Sequence, residues 1–233
     1  MNQSKPLITE VNKDTFWSLI DQAKEHQGGP NEWLMEQLVG MGPEQAKTFD
    51  TIARVYMDLA YQYGLWTAAS VIERGGCTDD GFMDFRQWLV GQGREVYMAA
   101  LKDPDSLVDA PDYRNYQYDS LPVMGDYAYE ELTGRNAFED FDPGQYHALK
   151  VELKKDIVYG DGIGYPYDAD DVPDYLPRLC QKYGVLDADR SSYTVTVGTW
   201  NPISPEIQAA RKNAQKSKKV TGQNVQRSNR NER

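Results

Sequence analysis

Residues 75–94 read GGCTDDGFMDFRQWLVGQGR, a glycine-rich turn running straight into an aromatic, amphipathic helix that further glycines close. Thr78, Asp79 and Asp80 stand just ahead of Phe82, where a side-chain oxygen can accept hydrogen bonds from the unpaired first N–H groups of a helix. The two aspartates also place negative charge at the positive end of the helix dipole. Gly75 and Gly76 suit the left-handed residue on which a preceding helix ends. The stretch therefore predicts a helix–turn–helix corner. At about 100° per residue, Phe82, Phe85 and Leu89 share one face, while Asp80, Asp84, Gln87 and Gly91 lie opposite. One face is expected in the core and the other in water. Arg86 lands at the edge of the core face, beside Val90 and on the side of Asp79. A guanidinium there is expected to seek a carboxylate, because an unpaired buried charge costs several kcal/mol.

The pattern on either side of this corner is also helical. Phe16, Leu19, Ile20 and Ala23 recur at helical spacing after the start signal Lys13-Asp14-Thr15, and Gly28-Gly29-Pro30 stops that helix. A short helix over residues 31–39 is expected to end at Gly40. Pro43 opens a longer one, in which Phe49, Ile52, Ala53, Tyr56, Ala60 and Tyr63 mark a single stripe. Residues 65–72 are apolar on most sides and predict a buried helix. After Gly93 a helix over 94–101 is expected to stop at Asp103-Pro104. The short connections suit antiparallel neighbours.

From Val108 onward prolines interrupt a stretch rich in tyrosine and aspartate, with helices expected only over 123–133 and 146–155. Asp161-Gly162-Ile163-Gly164 is not read as a phosphate loop, since Pro166 follows where the helix should begin. Asp168, Asp170 and Asp171 lack the glycine and the distal glutamate of a calcium loop. They are read instead as caps for a last helix around 173–183. Tyr193-Thr194-Val195-Thr196-Val197 alternates as a strand does, with Ile157-Val158-Tyr159 the nearest partner for a short β-hairpin. The fold class expected is mainly α: a compact helical domain of about six to eight helices over residues 12–184, with a loop-rich, Tyr/Asp-rich C-terminal portion. Residues 185–204 form an extension carrying the strand. Residues 205–233 form a basic tail with too little to bury to offset an ordering entropy of about 1–2 kcal/mol per residue, and are expected to be disordered.

The run Gly75-Gly76-Cys77-Thr78-Asp79-Asp80-Gly81-Phe82, with Phe85-Arg86, Trp88-Leu89, Gly93-Arg94, Asp103-Pro104-Asp105-Ser106-Leu107 and the upstream Phe16-Trp17-Ser18-Leu19-Ile20-Asp21, resembles the bacterial domain of unknown function numbered 4240. The resemblance covers about residues 12–133, thins through the loop-rich middle and returns at 177–184. It implies a mostly helical, cytosolic bacterial domain. The family carries no assigned activity, so it lends no catalytic role to any residue here. The tyrosine-rich insert and the basic tail depart from the family's shorter, acidic pattern.

Composition narrows the function. The 233 residues carry a net charge of −11. Eight basic against two acidic residues lie from Pro205 onward, which leaves 17 basic against 34 acidic residues before it. An acidic body repels nucleic acid and steers basic protein partners, although solubility alone also accounts for it. The basic tail has no aromatic residue to stack on bases. No apolar run approaches the roughly 20 residues of a membrane helix, and no apolar leader opens the chain, so a cytoplasmic location without membrane insertion is expected. Cys77 and Cys180 lack metal or disulfide spacing, and no cofactor motif is present. Two readings follow. In the first, an acidic surface bearing Tyr113, Tyr116, Tyr118, Tyr127 and Tyr129 binds a protein partner, as a regulatory or immunity protein does. The alternative role for those rings is to pack a layer over the helices. In the second, the corner is an enzyme site with Cys77 as nucleophile, Asp79 or Asp80 as acid or base, and Arg86 or Arg94 holding an anion. Against it stands a Cys77 that is simply a small buried hydrophobe.

Overall fold

Asn12 begins the fold by closing a reciprocal cap, its side chain accepting from the Asp14 and Thr15 N–H groups while the Thr15 hydroxyl accepts from the Asn12 N–H. In the computed structural model, which describes residues 8–74, 76–160 and 172–184, ten α-helices follow: α1 (Lys13–Glu25), α2 (Pro30–Met41), α3 (Pro43–Leu59), α4 (Tyr63–Glu73), α5 (Asp79–Gly91), α6 (Arg94–Lys102), α7 (Met124–Thr133), α8 (Pro143–Leu153), the single turn α9 (Val172–Tyr175) and α10 (Pro177–Tyr183). Short 3-10 turns occupy Pro104–Asp109, Tyr113–Asn115, Leu121–Val123 and Lys154–Asp156. The fold is mainly α, and no strand occurs among the described residues. Ile157, Val158 and Tyr159 are irregular, which removes one half of the expected hairpin. The other half, residues 193–197, lies outside the described residues, as do Asp168, Asp170, Asp171 and the tail over 205–233.

The longest helix, α3, is the central post and packs against α1, α2, α5, α7 and α8. Its stripe Phe49, Ile52, Ala53 and Tyr56 is fully buried, so the helical period read from sequence is the packing period. Phe16, Trp17, Phe49, Tyr56 and Tyr97 form one ring cluster with centroids 4.6–5.6 Å apart. The Tyr97 hydroxyl donates to the Tyr56 carbonyl at 2.7 Å, which satisfies the polar end of a buried ring. α4 is buried continuously from Gly64 to Ile72.

Four boundaries differ from expectation. α3 ends at Leu59 with Ala60 as its cap, so Tyr63 leaves the expected α3 stripe and opens α4 as an exposed ring, and Gly64 lies inside α4 instead of breaking the pattern before it. α2 runs through Gly40 and stops at Gly42, whose φ of +92° serves both as the end of α2 and as the start of α3. Exposed Gly40 costs a helix only ~1 kcal/mol, and nothing near it forces a stop. α8 begins at Pro143, earlier than the expected 146, because the Asp142 carboxylate caps Gly144 and Gln145. The last helix is split at Leu176 into α9 and α10. α10 is capped from far away in sequence: the Asp105 carboxylate accepts from the Arg178 and Leu179 N–H groups at 3.1 and 2.9 Å.

Candidate functional site

The corner forms, but with a different division of labour. Thr78 has extended dihedrals and is the residue that caps α5, its hydroxyl accepting from the Gly81 N–H at 3.0 Å. Asp79 and Asp80 already lie inside the helix, in its first turn, where they act through the dipole rather than as hydrogen-bonding caps. This corrects the expectation that the aspartates saturate main-chain donors. Asp79 instead accepts from the Tyr61 hydroxyl at 3.3 Å. The left-handed residue ending α4 is Arg74, at φ +58°, and not a glycine.

Cys77 is buried at 2% exposure, its thiol facing the Thr78 carbonyl. Its own carbonyl accepts from Trp66 Nε1 at 2.7 Å. Burial, then the neighbouring Glu73 carboxylate, push the thiol well above its ordinary range. A nucleophile needs the opposite shift. Native Cys77 is therefore expected to alkylate at least ~100-fold more slowly at pH 7.5 than a free thiol of ordinary pKa, and to react freely once urea unfolds the chain. Fast modification of the folded protein, read by mass spectrometry, would contradict this placement.

Arg86 does not take a carboxylate within ion-pair reach among the described residues. Its Nε and Nη1 donate to the carbonyls of Phe82 and Met57 at 3.2 and 2.9 Å, and its guanidinium lies 4.7 and 5.0 Å from the rings of Tyr61 and Phe82. Carbonyl dipoles and π faces thus satisfy the half-buried cation in place of a counter-ion, and burial lowers its pKa. Arg94 is exposed at the start of α6. The length of α5, about 20 Å for thirteen residues, separates it from Cys77. Among these five residues the structure gathers Cys77, Asp79 and Arg86 at one end of α5, with exposed Asp80 beside them, and sets Arg94 at the other.

The face of α5 expected to be wet is covered toward its C-terminal end. Gly91 is buried under the 113–123 segment, and a Cβ there would sit 2.0 Å from the Tyr118 carbonyl oxygen. Gln87 and Gln92 donate to the carbonyls of Asp119 and Gln117 at 2.9 and 2.7 Å. Among the tyrosines, Tyr113 is buried edge-on against Phe85 and Trp88. Tyr129 is buried with its hydroxyl on Asp140 at 2.7 Å, and Tyr118 is half-buried beneath the Lys24 ammonium. Tyr116 and Tyr127 are exposed.

A second constellation escaped the reading of the sequence. Phe138 and Phe141 are 66% and 40% exposed, stacked at 6.0 Å, and Phe141 meets Tyr146 at 5.4 Å. The Arg54 guanidinium lies over Phe138. Tyr146 donates to Asp58 at 2.9 Å, and Lys150 pairs with the same carboxylate oxygen. Two phenylalanines spaced among Glu139, Asp140 and Asp142 were the only signal available for this surface.

Among the described residues no group of three or more His, Cys, Asp or Glu side chains is placed to hold a metal ion, and no helix is long and apolar enough to cross a membrane. A family model described as a protein of unknown function, DUF4240, matches residues 11–131, more than half of the chain. No curated protein and no solved structure gives a significant match.

Proposed function

This chain belongs to the DUF4240 family of proteins of unknown function, and we propose that it works as a cytoplasmic protein-binding module, of a regulatory or immunity-like kind, that takes a basic partner on an acidic surface bearing open aromatic rings. The observation that carries the reading is the Phe138–Phe141 pair. Two stacked phenylalanines held in water are an unfavourable arrangement that a partner would relieve.

The turn that presents them is pre-organised. The Ala137 N–H donates to Asp126 at 2.6 Å, Asn136 and Glu139 hydrogen-bond each other, and Arg135 pairs with Glu139 and Asp140. Ordering cost is thereby met before binding. Exposed Glu130, Glu131 and Glu152 on the flanking helices, with the acidic excess of the body, favour lysine and arginine on the partner and disfavour nucleic acid. Exposed Tyr116 and Tyr127 are further contact residues in this reading.

The test is affinity capture from the source cell with the full chain and with a Phe138→Ser/Phe141→Ser variant, at low and high salt. A partner held by the parent at low salt, released by salt, and retained at least ~10-fold less by the variant is the expected outcome. Identical captures by the two baits, or no enriched protein at either salt, would remove the support.

A further inference from the structure

We infer a phosphate-binding site where Arg74, Arg114 and Lys182 converge on the ring of Tyr183, a feature separate from the aromatic surface and independent of the reading above. Arg74 Cζ, Arg114 Cζ and Lys182 Nζ lie 5.9, 5.5 and 5.6 Å from the ring centroid. The three cations come from the end of α4, from the Tyr113–Asn115 turn and from α10, so tertiary structure alone assembles them. Sharing one ring, they fall within roughly 12 Å of one another, close to the ~10 Å screening length at moderate salt, and act on a ligand together.

Few neighbouring carboxylates are available to cancel this charge. Asp112 holds Arg114 through two bonds of 3.1 and 2.7 Å, which fixes the guanidinium while leaving Nη1 outside the pair. Lys182 donates to the Val108 carbonyl at 2.7 Å. Arg74 has neither an ion pair nor a side-chain hydrogen bond among the described residues. Its neighbour Glu73 acts on buried Cys77, the Asp105 carboxylate faces the N–H groups of α10, and Asp109 pairs with Arg178. At the Tyr183 hydroxyl itself the charges felt are the Asp112 carboxylate and, opposing it, the Arg114 and Arg74 guanidinium groups.

Backbone and hydroxyl geometry point the same way. Arg74 ends α4 and Tyr116 ends the Tyr113–Asn115 turn in left-handed dihedrals, at φ +58° and +50°, which fix where the chain turns beside the Arg74 and Arg114 side chains. The Tyr183 ring that carries the hydroxyl is only 7% exposed. Burial keeps that hydroxyl protonated, so it remains a donor. Two guanidinium groups, an ammonium and a phenol match a tetrahedral dianion, which offers acceptors in several directions, better than a planar monoanionic carboxylate.

The phosphate could belong to a small soluble molecule or to a lipid headgroup, and two arms separate these sources. The full chain is titrated with inorganic phosphate at fixed ionic strength, and in parallel with phosphatidylcholine vesicles containing phosphatidic acid. The expected result is saturable binding of free phosphate without vesicle binding, because the acidic body is repelled by an anionic membrane. Vesicle binding alone would assign the same site to a headgroup. Arg74→Gln/Lys182→Gln should weaken the binding at least ~10-fold, whereas Lys155→Gln, an exposed lysine of the Lys154–Asp156 turn, should bind like the parent. Should the double variant not fold, Arg74→Gln alone, an exposed position, gives the same comparison. Absence of saturable binding in both arms, or undiminished affinity in the Arg74 variants, overturns the site.

Discussion

Gly125→Ala should lower the melting temperature by about 5–10 °C, the equivalent of about 2–3 kcal/mol for a domain of this size. Gly125 lies in the first turn of α7, where that helix crosses α3. A Cβ there would stand 2.6 Å from the Asp50 nitrogen, 2.8 Å from the Ala46 carbonyl oxygen and 3.0 Å from the Phe49 ring. Two of the three are main-chain atoms of the central post and cannot rotate away. The helices would have to separate, opening the packing of Met124, Ala128 and Tyr129 behind them. Gly40→Ala provides the control with the opposite sign. It is an exposed helical position with nothing within 4 Å of a new Cβ, and alanine there should add about 0.5–1 kcal/mol through helix propensity. Urea denaturation followed by circular dichroism reads both variants. Equal effects of the two would mean that α7 does not approach α3 this closely.

The same contrast explains what was legible in the sequence. Phe16 to Ala23 in α1, Phe49 to Tyr56 in α3 and Phe82 to Leu89 in α5 repeat their apolar residues over two or more turns, and that local period survives because the buried stripe is the cause of the helix. Glycine was harder to read, since one residue type serves opposite purposes. Gly40 is an indifferent helical residue, Gly42 a stop with positive φ, and Gly91 and Gly125 are sites of close backbone approach. Only the partner segment separates these roles, and in both close approaches that partner lies dozens of residues away. The Asp105 cap on α10, 74 residues from Leu179, has no local signature either.

The corner was legible as architecture and misread in detail for a related reason. Polarity along the chain places Asp79 and Asp80 near the start of α5, but which oxygen meets the free N–H groups depends on the last residue with non-helical dihedrals, and that is Thr78. Helical periodicity puts Gln87 and Gly91 opposite the core, yet the 113–123 segment supplies a second wall there, with Tyr113 as its anchor. The tyrosine-rich stretch consequently divides its residues between interior and surface. Tyr113 and Tyr129 fill space, and Tyr116 and Tyr127 face solvent.

Removing the cation from the Asp50–Arg54 pair should be the most damaging charge change in the helical core. Asp50 occupies a core position on α3 at 4% exposure, and Arg54 one turn later reaches its Oδ2 through Nε at 2.6 Å. Burial raises the Asp50 carboxyl above its ordinary 3.8, against the lowering by Arg54, and Asp126 adds a further upward push. Burial lowers Arg54, but its hydrogen bond and charge attraction to Asp50 outweigh that and leave it raised. The two partners shift for different reasons, since Asp50 is enclosed while over a third of the Arg54 side chain still meets water. Arg54→Met should therefore cost about 2–3 kcal/mol at pH 7, below the 3–5 kcal/mol of a fully enclosed pair because solvent screens the arginine side. The pH dependence fixes the sign. A carboxyl whose folded pKa exceeds its unfolded one lets the folded state hold the extra proton, so the stability it contributes is complete below pH 3.8 and is lost as pH rises through the folded value. In Arg54→Met that folded value moves further up, and the deficit measured in urea at pH 7 should shrink as the pH falls toward 4.5. Asp50→Leu/Arg54→Met, which takes away the buried charge as well as its partner, should recover most of the loss at pH 7 and lose the pH dependence. A single variant as stable as the parent at neutral pH, or a deficit that grows on acidification, would mean that the Asp50 carboxylate reaches solvent.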